Sequence, residues 1–128
     1  MSVHIQIKRA YEAAQPEDGY RVLVDRLWPR GLAKEKLPYD LWCKELAPSS
    51  ALRTWFGHKV EKWDEFRQNY QAELRTDEQI ARMQALLAGA TKPTISLIYS
   101  AKDAQHNQAV VLADELSRLA RRRKGGTA

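Results

Sequence analysis

One stretch of the sequence, "VDRLWPRG" (Val24–Gly31), sets an acid, two arginines and a tryptophan directly behind an apolar run. The guanidiniums of Arg26 and Arg30 could hold a planar oxyanion through paired N–H donors, and Trp28 could stack on a ring. The alternative is structural: Asp25 pairs with one arginine to fix an irregular loop, while Trp28 packs in the core. The residue types are compatible with both interpretations.

A second polar stretch, "SAKDAQHN" (Ser100–Asn107), joins a predicted strand to a predicted helix. Free N–H groups at a helix start, the Ser100 hydroxyl and the Lys102 ammonium all favour a phosphate or carboxylate, and Asn107 adds an amide. The alternative is an ordinary capped helix. In that case the Asp103 carboxylate satisfies the same N–H groups and repels an anion.

Asp25 and His106 are the two candidate catalytic residues, because a carboxylate or an imidazole beside a bound ligand can act as acid or base. The sequence gives no orienting partner for His106, which could equally be an idle surface histidine. Cys43 lies among alternating apolar residues and is typical of a small core residue. The Cys and His spacing fits no metal site, and we predict neither a metal nor a cofactor.

Strand and helix patterns alternate along the chain and would position both polar stretches. Alternation and apolar runs indicate strands at 3–8, 21–25, 39–46 and 94–100. Helical spacing and capping residues indicate helices at about 50–57, 60–74 and 76–89, and from 103 onwards. Together they predict a single small α/β domain whose mainly parallel sheet, or mixed sheet, is flanked by helices. The first link is short for a crossover, so the first two strands could be antiparallel.

The two polar stretches follow the strands at 21–25 and 94–100. In open α/β sheets, ligands bind beyond the carboxyl ends of the strands. If these two strands are parallel neighbours, both stretches reach one rim. We therefore expect this rim to bind a small anionic ligand of the phosphate or nucleotide type.

The formal net charge of +5 is unevenly distributed over the 128 residues. The surplus is carried by Arg118, Arg121, Arg122, Arg123 and Lys124. These five cations leave the rest of the chain neutral. We predict a domain at 1–120 and a basic flexible tail at 121–128, which adds weak, non-specific affinity for nucleic-acid phosphates. The alternative function is therefore a nucleic-acid-associated protein that uses this tail and Trp28.

A second alternative is a protein–protein interaction module, a monomer or homodimer without catalysis, that exposes Trp55 or Trp63 in an apolar patch. No apolar run approaches the ~20 residues that a membrane span needs. The N-terminal sequence lacks the layout of a signal peptide, and the lone Cys43 cannot form an intramolecular disulfide. We expect a cytoplasmic protein without membrane contact.

Three segments, taken together, resemble the YeaO-like branch of the domain-of-unknown-function 488 family. They are "VDRLWPRG", "LPYDLWCKELAPSSALRTWFGH" and "LIYSAKDAQHNQAVVLADEL". The likeness runs from about Val3 to Leu119. It implies a compact bacterial α/β domain and points to no particular reaction.

Other branches of the wider family resemble this chain at the last strand–helix junction but carry a cysteine and a glutamate there. Tyr99 and Ala101 occupy those positions in this sequence. The same relatives have a Cys-His-Arg triplet in the helix, where this chain has Asn107, Gln108 and Ala109. The resemblance therefore implies that the thiol or metal chemistry of those relatives does not carry over.

Overall fold

A computed structural model describes residues 3–125 of the chain. In this part of the chain, four parallel strands form one sheet in the order β1-β4-β2-β3. The strands are β1 (His4–Arg9), β2 (Tyr20–Leu23), β3 (Leu41–Trp42) and β4 (Thr94–Tyr99). The predicted α/β class with a mainly parallel sheet is confirmed.

Strand β4 is central and buried on both faces, as its apolar sequence predicts. Ile95, Leu97 and Tyr99 join the main core cluster on one side of the sheet. Ile98 and Ser96 point to the opposite side, because successive side chains of a strand alternate. Apolar residues on both faces of this strand give the sheet a core on each side.

The four α-helices contribute to the core on the face of the sheet that carries Ile95, Leu97 and Tyr99. They are α1 (Ser50–Phe56), α2 (Trp63–Leu74), α3 (Asp77–Gly89) and α4 (Gln108–Gly125). The Ser49 hydroxyl accepts from the N–H of Leu52 and caps α1, and Thr76 caps α3 in the same way. None of these helices combines the length and apolar composition needed to cross a membrane.

Irregular segments cover the opposite face. Leu23 and Ile98 pack there against Ala10 and Leu37, with Trp28 alongside. These contacts anchor the loop that follows β2, and this loop carries the first polar stretch. That stretch is therefore held by packing against this face of the sheet rather than by a helix.

The suggestion that the first two strands form an antiparallel pair is wrong, because β4 lies between them. The short link crosses one face of β4 without an α-helix. Buried Asp18 holds it in place by pairing with Lys8 at 2.9 Å and with Arg21 at 2.5 Å. The Ser96 hydroxyl of β4 also donates to the Asp18 carbonyl at 2.6 Å. A buried ion cluster thus replaces the usual crossover helix.

Two predicted boundaries differ from the structure. The strand predicted at 39–46 is reduced to Leu41–Trp42, because a 3₁₀ turn (Lys44–Leu46) follows it. The last helix begins at Gln108 rather than near Asp103, because the Asn107 side chain accepts from the N–H groups of Ala109 and Val110.

Helix α4 runs through the domain boundary predicted between residues 120 and 121 and ends at Gly125. Arg121 and Arg122 are exposed on this helix. The side chains of Arg123 and Lys124, and residues 126–128 of the predicted tail, lie outside the described structure.

Candidate functional site

The carboxyl ends of β2 and β4 lie side by side. The two strands are parallel neighbours, with Val22 opposite Leu97 and Leu23 opposite Ile98. The two polar stretches therefore share one rim, as the sequence predicts. A cavity of about 400 Å³ opens between them.

The polar lining of this cavity, called here the rim cleft, comes from both polar stretches, from α1 and from the start of α4. It includes Asp25, Arg26, Arg30, Arg53, Ser100 and Gln108. The apolar lining includes Trp28, Pro29, Pro48, Phe56 and Phe66. Among the described lining residues, arginines outnumber acids by three to one. The rim cleft is therefore electropositive with an apolar wall.

Asp25 is the acid of the rim cleft and is only 8% exposed. Its Oδ2 accepts hydrogen bonds from the Ser100 N–H at 3.1 Å and from the Ser100 hydroxyl. Its Oδ1 accepts from the Gln108 amide at 2.5 Å. Burial raises the pKa of Asp25, against the opposing effects of these hydrogen bonds and of the Arg53 charge.

Of the predicted structural corner, the packing of Trp28 is confirmed, but the ion pair between Asp25 and a neighbouring arginine is absent among the described residues. The Arg26 guanidinium donates instead to the backbone carbonyls of Pro48 at 3.1 Å and Ala47 at 3.4 Å. The Nε of Arg26 is buried and has no hydrogen-bond partner among the described residues. An unpartnered buried donor is costly.

Arg30 and Arg53 contribute exposed guanidiniums to the rim cleft. No ion pair to another described residue holds either of them. The Arg30 backbone is fixed, since its carbonyl accepts from the Tyr11 hydroxyl at 2.8 Å. Both side chains are therefore available to a ligand at little structural cost.

Trp28 has a packing role as well as a place in the lining. Its Nε1 donates to the Leu32 carbonyl at 2.7 Å. Its ring meets those of Trp42 and Tyr39 edge-on, at centroid distances of 5.6 Å and 5.9 Å. The indole, which the nucleic-acid alternative requires for stacking, is therefore held by its neighbours.

Lys102 and His106 are not among the residues that line the rim cleft. Lys102 is exposed. His106 has an orienting partner that the sequence did not suggest, since its Nδ1 lies 2.8 Å from an Asp103 carboxylate oxygen. Its ring also meets Trp63 edge-on at 5.3 Å. The two candidate catalytic residues therefore do not share one cavity.

Asn107 lines the rim cleft, but its side chain is committed to the start of α4. The amide nitrogen donates to the Asp103 carbonyl at 2.8 Å, and the amide oxygen caps the helix. Asp103 caps the preceding turn through the N–H groups of Gln105 and His106. Asp103 therefore acts as a capping residue, as the structural alternative predicts, but on the turn before α4, and Asn107 caps the helix itself.

Cys43 packs against the core, as predicted. Burial, with a smaller contribution from the nearby Glu45 carboxylate, raises the thiol pKa to about 11. The thiol is therefore protonated at neutral pH and is a poor nucleophile. Among the described residues, no group of three His, Cys, Asp or Glu side chains could hold a metal ion.

Sequence reasoning missed Arg53, His58 and Gln108 as lining residues. Arg53 lies one turn before Phe56 on α1, so both reach the same side of the helix. His58 follows the left-handed Gly57 and itself has a φ of 59°, a strained value for a non-glycine residue. No local spacing links α1 to the loop after β2, so Arg53 could not be predicted from the sequence as a lining residue.

The other predicted interaction surfaces are modest in the described residues. Trp55 is 37% exposed, with the Lys62 ammonium 4.8 Å from its ring centroid. Trp63 is half-buried and packs against Phe56 and Phe66. Each tryptophan therefore contacts neighbouring side chains and does not form an exposed apolar patch.

Comparisons with known proteins agree on one family. Residues 4–128 match a family described as the inactive DUF488-N3 subclade. The chain is 47% identical over 117 residues to "Uncharacterized protein YeaO" of Escherichia coli, covering 91% of this chain and 100% of the relative. It is 36% identical over 113 residues to an uncharacterised protein of Mycobacterium tuberculosis, covering 88% of this chain and 93% of the relative. No solved structure matches the chain significantly.

Proposed function

This chain belongs to the DUF488 family, in the subclade described as inactive, and we propose that it binds a small anionic ligand in the rim cleft. The ligand is of the phosphate or nucleotide type. The protein holds this ligand without transforming it. The resemblance to the YeaO-like branch agrees with the family match and adds no substrate.

One observation carries the proposal. The guanidiniums of Arg26, Arg30 and Arg53 line one cavity that contains a single acid among its described lining residues. That acid, Asp25, is bonded to Ser100 and Gln108 and neutralises none of the arginines through an ion pair. Uncompensated arginines in a concave site attract oxyanions and bind them through charge-assisted hydrogen bonds.

The size and the apolar lining of the rim cleft support a ligand with an anionic group and an organic body. Its volume of about 400 Å³ lies within the range of small-molecule sites, about 300–1,000 Å³. Phe56 and Pro48 add apolar surface to the lining beside the charged groups. A phosphorylated metabolite has this combination of properties.

The placement of the candidate catalytic residues supports binding rather than catalysis. Asp25 lines the cleft, but both of its carboxylate oxygens already accept hydrogen bonds. His106 is outside the lining and pairs with Asp103. The two groups predicted for proton transfer, Asp25 and His106, therefore do not meet at the cleft.

Isothermal titration calorimetry on the full chain, with inorganic phosphate and then a nucleoside monophosphate, tests the proposal. We expect saturable binding that weakens about tenfold to a hundredfold in Arg53→Ala, the range for losing a charge-assisted hydrogen bond. Arg67→Ala is the matched control, because Arg67 is an exposed arginine of α2 outside the cleft. Absence of binding, or equal weakening in both variants, would refute the proposal.

A further inference from the structure

A buried carboxylate is an unexpected group in a cleft that binds anions. Asp25 lies among the arginines that line the rim cleft, yet none of these three arginines is hydrogen-bonded to it. Its position is fixed by the ends of two strands and by the first residue of α4. An ionised carboxylate there repels an anion unless the anion offers it a hydrogen bond.

The hydrogen bonds to Asp25 leave part of its acceptor capacity unused. An ionised carboxylate has about four lone-pair positions, two on each oxygen. Oδ2 accepts twice from Ser100, through the N–H and the hydroxyl. Oδ1 accepts once, from Gln108, among the described residues. One acceptor position on Oδ1 therefore has no donor among the described residues, and Asp25 lines the rim cleft.

We propose that Asp25 makes the rim cleft selective for an oxyanion that carries its own O–H group, an inference that rests on the anion binding proposed above. Hydrogen phosphate is the simplest such ion. Its O–H donates to the open position on Oδ1, while its ionised oxygens accept from Arg26, Arg30 and Arg53. Each group of the site then meets a partner of the opposite hydrogen-bonding character.

Sulfate has a similar size and shape but carries no proton near neutral pH. Bound in the same place, it would direct an oxygen lone pair at the lone pair of the Asp25 carboxylate. This contact loses one hydrogen bond and adds like-charge repulsion in a partly desolvated site. Inorganic phosphate keeps at least one proton at neutral pH and avoids both penalties.

Other charged groups at the rim cleft do not discriminate in this way. Arg26, Arg30 and Arg53 are donors at every relevant pH and bind both oxyanions. His58 is exposed, and an imidazole N–H donates to either oxyanion. Asp25 is therefore the group at the cleft that distinguishes a protonated oxyanion from a fully ionised one.

The first test titrates the unmodified chain with inorganic phosphate and with sulfate at pH 7 and constant ionic strength. We expect phosphate to bind at least about tenfold more tightly, the effect of one charge-assisted hydrogen bond. Equal affinities would overturn the selectivity and leave the anion site intact. Failure of both ions to bind would refute the proposed function, and the selectivity with it.

The second test uses Asp25→Asn. The new amide oxygen can still accept from Ser100, and the Gln108 amide can rotate to accept from the new amide nitrogen. We expect sulfate to bind about tenfold more tightly than in the unmodified chain, with a phosphate-to-sulfate ratio near one. An unchanged ratio would overturn the role of Asp25. The ratio in the unmodified chain decides the proposal even if this variant does not fold.

Asp103→Asn is the matched control for Asp25→Asn. It makes the same change in net charge, lies at the same edge of the sheet, and is outside the lining of the rim cleft. An asparagine also keeps the ability to cap the turn. The phosphate-to-sulfate ratio of this variant should equal that of the unmodified chain, whereas a shift in it would show that net charge alone sets the ratio.

Discussion

Asp25 accepts two hydrogen bonds from Ser100, one from its backbone N–H and one from its hydroxyl, across 75 positions of sequence. The pair joins the residues that follow β2 and β4, two neighbouring strands of the sheet. The acid of the rim cleft is therefore fixed by the sheet itself rather than by the loop that carries it. Gln108, at the start of α4, adds a third donor.

Ser100→Ala tests this link between the strands. The substitution removes the hydroxyl donor but leaves the N–H bond, so the buried carboxylate loses one partner. We expect the free energy of unfolding to fall by about 1.5–3 kcal/mol, the contribution of one hydrogen bond to a charged group. Urea denaturation measures it. Ser50→Ala, at an exposed serine of α1, should change the stability by much less.

The raised pKa of Asp25 predicts a pH dependence of stability. Burial disfavours the ionised form in the folded protein, so the folded-state pKa lies above the ordinary 3.8. The folded state is therefore favoured more at low pH, and this contribution is lost as the pH rises through the raised pKa. Relative to Asp25→Asn, the unmodified chain should lose stability between pH 3.8 and neutrality. A constant difference between the two unfolding curves would contradict this.

The ion cluster of Asp18 should be far more sensitive to truncation than a surface pair. Asp18→Ala leaves the buried charges of Lys8 and Arg21 without a partner, and such losses cost about 3–5 kcal/mol. Asp64→Ala removes an exposed ion pair with Arg67 and should cost about 1 kcal/mol or less. Chemical denaturation of both variants measures the difference, and similar losses would mean that the cluster does not secure the link between β1 and β2.

The same aspartate predicts acid sensitivity. Burial alone would raise the pKa of Asp18, but hydrogen bonds from the Gln15 N–H, Lys8 and Arg21 outweigh it and hold the pKa below 3.8. The stabilisation is present above the unfolded-state pKa and is lost as the pH falls through the lowered one. We measure the melting temperature at a series of pH values below 4. It should fall more steeply with decreasing pH for the unmodified chain than for Asp18→Asn. Parallel melts would argue against it.

Two glycines with positive φ should differ sharply on substitution by alanine. A Cβ on Gly19 would lie 2.3 Å from the Thr94 carbonyl oxygen, so the start of β4 would have to move. A Cβ on Gly31 would meet no atom within 4 Å. Gly31→Ala should cost about 1–2 kcal/mol for its backbone conformation alone, and Gly19→Ala distinctly more. Equal losses on denaturation would show that β4 shifts freely.

Arg26 and Arg53 should separate stability from binding. Arg26→Ala removes the donor that bridges the carbonyls of Pro48 and Ala47, so both anion affinity and melting temperature should fall. Arg53→Ala removes an exposed side chain, so the affinity should fall while the free energy of unfolding changes by no more than about 0.5 kcal/mol. Calorimetry measures the anion affinity and thermal melts measure the stability of the same samples. Loss of stability in Arg53→Ala would assign it a structural role.

The pattern of the sequence predicted most of the elements because it reports local burial. The apolar run at 94–100 indicates a strand buried on both faces, and Thr76 with Gln79 indicates a helix start. Prediction from the sequence pattern failed where residues distant in the sequence determine the structure. The short link from β1 to β2 indicated an antiparallel pair, because the buried ion cluster that lets it cross β4 is not a local feature.

The sequence by itself determined the α/β class, and that two polar stretches follow strands that would be neighbours in a parallel sheet. Only the tertiary structure decided that Asp25 is bonded to Ser100 and Gln108, and that Arg53 joins Arg26 at the cleft. Periodicity along the chain fixes which side chains are buried. The partner of a buried charge depends instead on the direction of its hydrogen bonds and on how far the group is removed from water. Both are set by the tertiary structure and not by the spacing of residues.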